Sequence, residues 1–148
     1  MLRSILMGLV AGQRSMSPLG ALAVAAQRDA LPHDTPEARL MNVPWIAAGG
    51  VTMAALEMAG DKMKTAPDRT VFLGLLARTI SAGFAGAALA PPKRQVEGAA
   101  LGIGAATASS YLGLAARKRA MEEHGQTSTG LIEDGIVFAA ALAIANAR

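Results

Sequence analysis

A chain of 148 residues has the length of one domain, so residues 1–148 are read as a single unit. Hydrophobic residues make up 52% and charged residues 17%, with a mean hydropathy of +0.34, so the distribution of charge has to decide the class. The net charge of +3 is carried by basic residues at segment ends with no aromatic interleaving, which argues against nucleic acid. The absence of cysteine excludes disulfides and thiolate metal sites.

In chain order, the first apolar segment is Ile5–Ala26. Arg3, this run and Ala23-Val24-Ala25 have the outline of a secretory signal, but Gln13, Arg14 and Ser15 interrupt the apolar core, so the segment is read as retained. Its middle holds Arg14-Ser15-Met16-Ser17-Pro18, which a lipid-facing helix has no use for; Arg14–Pro18 either faces a polar interior or breaks the segment into two half-helices. Gln27–Leu40 is polar, carries Pro32 and Pro36, and reads as a loop. Met41–Gly60 is the second apolar segment, and Met63–Thr70 reads as a turn in which Asp68 or Thr70 caps the next helix. Val71–Ala90 follows and is stopped by Pro91-Pro92. Gly98–Ala116 has no charge and no amphipathic period, Arg117–Gly130 is a charged connection, and Leu131–Ala147 is the last apolar segment.

These five segments cover roughly two-thirds of the chain and approach the ~20 residues a crossing helix needs. Ala, Leu and Met dominate them, so the expected fold is all-α: an integral membrane bundle of about five transmembrane helices. A soluble alanine-rich bundle is the competing reading, and uncharged Gly98–Ala116 argues against it. Gly8-x-x-x-Gly12 and Gly98-x-x-x-Gly102 are expected to let helices cross closely. A faint internal repeat sets Gly8-Leu9-Val10-Ala11 and Arg14-Ser15-Met16-Ser17 beside Gly74-Leu75-Leu76-Ala77 and Arg78-Thr79-Ile80-Ser81. Each copy is followed by an acidic pair, Glu57 with Asp61 and Glu133 with Asp134.

The residues able to carry chemistry are the polar ones inside apolar sequence: Arg14, Ser15, Ser17, Glu57, Asp61, Arg78, Ser81, Glu133 and Asp134. Glu57 and Asp61 are four apart and share a helix face, which suits proton exchange; equally, Glu57 could neutralise Arg14 or Arg78 while Asp61 pairs with Lys62 or Lys64. The two arginines with their neighbouring hydroxyls form an anion-attracting cluster, or satisfy backbone carbonyls and acids on other helices. Glu133-Asp134 open the last apolar segment, where acids favour a helix N-terminus. His33 and His124 stand alone without ligand partners at useful spacing, and no nucleophile motif or phosphate loop is present. No metal, no cofactor and no enzyme activity is therefore expected.

Gly8-Leu9-Val10-Ala11-Gly12-x-Arg14-Ser15-Met16-Ser17-Pro18-Leu19, then Glu57-x-x-x-Asp61-Lys62, Pro67-x-Arg69-Thr70 and Glu133-Asp134, resemble the bacterial domain-of-unknown-function family 4126. The resemblance spans nearly the whole chain and departs at Met63-Lys64, where a proline is expected. It implies a small multi-pass protein of the bacterial cell inner membrane and no assigned activity. Two functions stand as expectations. The first is a small transporter or channel for an ion or small anionic solute, a homo-oligomer in contact with membrane lipid, with the nine polar residues along its pathway. The second is a non-transporting membrane scaffold or partner-binding subunit whose charges are locked in structural pairs.

Overall fold

A computed structural model describes residues 1–32, 35–60, 72–124 and 126–147. Among them are seven helices and no strands: α1 (Leu2–Gln13), α2 (Ser17–Ala26), α3 (Pro36–Met41), α4 (Pro44–Gly60), α5 (Phe72–Ala88), α6 (Gln95–His124) and α7 (Gln126–Asn146). The all-α class stands.

The first apolar segment is two helices, and Pro18 gives the reason. Its ring would collide with the carbonyl four residues back, that of Arg14, and it has no N–H to continue a helical ladder. Arg14 accordingly leaves the helix in an extended conformation (φ −139°, ψ 112°), and Pro18 sits within the first two positions of α2, where a missing N–H costs nothing. The chain read as a loop after Ala26 contains α3. Its start is encoded by Thr35, whose hydroxyl accepts from the Ala38 N–H at 3.2 Å, followed by Pro36 and then Glu37 in the first turn. The charged stretch after Ala116 is helical as well: α6 runs to His124 and α7 starts at Gln126. The turn expected over 63–70, with its Asp68 or Thr70 cap, lies outside the described residues.

Among the described residues no helix is long and apolar enough to cross a membrane. This overturns the expected five transmembrane helices and the multi-pass placement in the bacterial inner membrane. The break leaves α1 and α2 with 12 and 10 residues, about 18 and 15 Å at 1.5 Å per residue. Within the described residues α4 and α5 extend over 17 residues each, about 25 Å, against a hydrocarbon thickness of about 30 Å. α6 is diluted by glycine, serine and threonine and runs into charged sequence, while α7 carries Glu133 and Asp134.

α1, α5 and α6 form the tightest group, because small residues recur every four positions on their facing ridges. Gly8 and Gly12 of α1 lie against the Gly102 and Ala106 carbonyls of α6, and Gly86 of α5 lies against Gly98. Both expected glycine pairs are therefore at helix crossings. α2 packs on α4 and α7, and α7 also touches α1. Met7, Leu22, Leu31, Met41, Leu89 and Val137 supply the larger side chains of the core, and alanine supplies most of the rest.

Candidate functional site

The break between α1 and α2 gathers the polar residues. Where one helix ends and another begins, N–H groups are left without intrahelical partners. Glu57, in the last turn of α4, supplies the acceptor. Its Oε1 accepts from the Ser15 N–H at 2.8 Å and the Ser15 hydroxyl at 2.5 Å, and its Oε2 accepts from the Met16 N–H at 2.8 Å. A carboxylate held by three donors at the positive end of α2 is both charge-assisted and aligned with the helix dipole. α4 lies on α2, which is what brings Glu57 within reach of a residue 42 positions earlier in the chain.

Arg14, only 2% exposed, pairs instead with Asp134 of α7, also buried. Glu57 thus does not neutralise Arg14, contrary to one of the sequence readings: the carboxylate of α4 takes the backbone of the break, and that of α7 takes the guanidinium. The position of Asp134 is also corrected. α7 begins at Gln126, so Glu133 and Asp134 lie two turns inside the helix and do not act as first-turn acids.

Arg78 and Ser81 are buried on α5, and the Ser81 hydroxyl donates to the Arg78 carbonyl of its own helix at 3.2 Å. Arg78 and Glu133 are each engaged. Ser17 is fully buried at the start of α2 with no hydrogen-bond partner for its hydroxyl. Asp61 lies outside the described residues, as does His33. Among the described residues no group of three or more histidines and carboxylates comes together to hold a metal ion.

A second polar system went unrecognised in the sequence. Gln13 donates from Nε2 to the Ser109 carbonyl (2.8 Å) and hydroxyl (2.7 Å), and the Ser109 hydroxyl donates to the Leu9 carbonyl at 2.7 Å. Ser110 donates to the carbonyls of Ala106 (2.8 Å) and Gly12 (3.2 Å), and Ser4 to that of Gly86 at 2.8 Å. The signal was the four-residue period itself. Ser4 extends Gly8 and Gly12 backwards, and Ala106 and Ser110 extend Gly98 and Gly102 forwards. At the far end Arg3 donates to the last carbonyls of α7, Ile144 at 3.1 Å and Ala145 at 2.8 Å, and burial of its guanidinium pulls its pKa down.

Chemically, the centre is a helix break held by charged side chains: Asp134 pairs with Arg14, and the Glu57 carboxylate takes the Ser15 hydroxyl and two backbone N–H groups. Comparison with models of protein families, with curated proteins and with solved structures gives no match.

Proposed function

We propose that the chain is a non-transporting helical subunit that works by binding apolar partners, copies of itself first among them. The observation that carries this reading is the inversion of polarity between inside and outside. Arg14, Ser15, Ser17, Arg78, Ser81 and Asp134 are buried, whereas Trp45, Phe72, Leu73, Val96, Leu112 and Ile132 stand well exposed on the outer faces of α4, α5, α6 and α7. Monomeric proteins rarely leave contiguous apolar patches of more than a few hundred Å² bare, and covering such surface is favourable by about 25 cal/mol per Å².

A second line of support is that Arg14 is committed to Asp134 and Glu57 to the Ser15–Met16 backbone. A pathway for an ion or a small anion would need Glu57 or Arg14 to change partners, and each holds a short, directional contact to a distant element. The resemblance to family 4126 brings no activity to weigh against this.

Sedimentation equilibrium of the purified full chain, together with unfolding of Glu57→Gln, tests the reading. A concentration-dependent oligomer is expected, along with a loss of about 1–3 kcal/mol in the variant, because an amide presents N–H where the break needs an acceptor. A chain that stays monomeric at every concentration sinks the proposal. So does a Glu57→Gln protein of full stability that alters ion flux in reconstituted vesicles, which would favour transport.

A further inference from the structure

Resting on that reading, we infer which face the second copy takes: the outer ridge of α5 together with the apolar hollow beside it. Phe72, Leu76 and Ile80 recur every four residues and Leu73 flanks them, so all four crown one side of α5. They are 75%, 42%, 64% and 73% exposed in that order. Next to Ile80 opens a hollow of about 360 Å³ between α2, α3 and α5, walled by Leu19, Leu40, Met41, Phe84 and Met16. Ser81 also borders it, and its hydroxyl proton is already donated to the Arg78 carbonyl.

A ridge and a hollow on the same face are what a two-fold axis requires, since each copy can then place its ridge in the hollow of the other. The size also fits. Taking on the order of 200 Å² for a fully bare large side chain, the exposed fractions of Phe72, Leu73, Leu76, Ile80 and Leu40, the last 43% bare, come to roughly 600 Å² per copy. Two copies would together cover about 1,200 Å², the lower end of what specific, stable interfaces bury. None of the residues forming the ridge or the hollow is charged, which argues against a charged peptide or nucleic acid as the occupant.

The chain has no cysteine, so single cysteines report directly on proximity. Leu76→Cys and Ile80→Cys are compared with Leu112→Cys on α6, a position 72% exposed, by mild copper-catalysed oxidation of the purified full chain and non-reducing electrophoresis. Cross-linking at 76 and 80 at least tenfold faster than at 112 is expected, and Ile80→Glu should weaken the dimer at least tenfold in sedimentation while its helical circular dichroism is unchanged. Equal or faster cross-linking at 112, or an Ile80→Glu chain that dimerises like the parent, overturns the assignment of this face. An oligomer held through α6 sinks this inference alone; a monomer sinks it together with the proposed function. A monomer whose hollow binds a fluorescent long-chain fatty acid would give that surface to a small aliphatic ligand instead.

Discussion

At residue scale the Arg14–Asp134 pair and the Glu57 carboxylate are asymmetric risks. A buried ion pair contributes little net stability over well-packed apolar residues, because both charges lose their hydration, yet removing one partner strands the other. Arg14→Met or Asp134→Leu alone is expected to cost about 3–5 kcal/mol in chemical unfolding. The double replacement should cost clearly less than the worse single change, and a strictly additive result would show that the pair does not act as a unit. Arg94 and Glu97 make the contrasting case. Glu97 accepts from Arg94 Nε at 3.0 Å on the surface of α6, and the hydrogen bond and charge of Arg94 hold its carboxyl below the usual range. A lowered carboxylate pKa stabilises the fold above the unfolded value and is lost as pH falls through the folded one. Both side chains are more than half exposed, so water and salt screen the pair. Glu97→Gln is therefore expected to leave the acid-unfolding midpoint unchanged.

At the scale of the elements, glycine divides by neighbour. A methyl at Gly8, Gly12, Gly86 or Gly102 would land on a carbonyl of the facing helix, forcing apart elements whose serine hydrogen bonds depend on that closeness. Gly12→Ala is expected to destabilise by about 1–3 kcal/mol, as overpacking does. Gly104, also on α6, faces open space, and Gly104→Ala should stabilise by up to about 1 kcal/mol through helix propensity. Thermal unfolding of the two variants should move in opposite directions. Much of this level was legible beforehand: apolar, alanine-rich runs marked the helices, the glycine spacing marked their crossings, and Pro18 marked the break. α3 was missed because Pro36 was taken for a loop signal, although a proline straight after Thr35 opens a helix. The charged stretch after Ala116 was read as a connection because of its polarity, yet lysine, arginine and glutamate are good helix formers. The partners of Arg14 and Glu57 could not be assigned at all. Four acids were available to two arginines and a helix break, and only the packing of α4 on α2 and of α7 on α1 chooses among them.

For the whole molecule, apolar residues suggested membrane spans, yet among the described residues no helix is long and apolar enough to form one. Composition reports how much surface avoids water; it does not report how far a helix extends before a proline stops it. The same exposed side chains that suggested lipid now motivate self-association. Arg3 adds a test of how the bundle is closed. Its contacts to Ile144 and Ala145 tie the start of α1 to the end of α7. Arg3→Ala should lower stability by about 1–2 kcal/mol, and hydrogen exchange should show the loss first as faster exchange in the last turn of α7. Uniform acceleration through all helices would mean instead that this end is not a local closure.

The helix break also sets an order of events. Its two clamps come from residues 42 and 120 positions further along, and Arg3 waits for carbonyls 141 residues away. During synthesis α1 and α2 emerge with a bare guanidinium and two unclaimed N–H groups; the N–H groups stay open until α4 follows, and the guanidinium until α7 has left the ribosome. Contacts of such long sequence separation slow folding and lengthen the exposure of half-made structure. A chain that stops before Asp134 carries α1 without the residue that completes its end, so this helix is made long before it is finished.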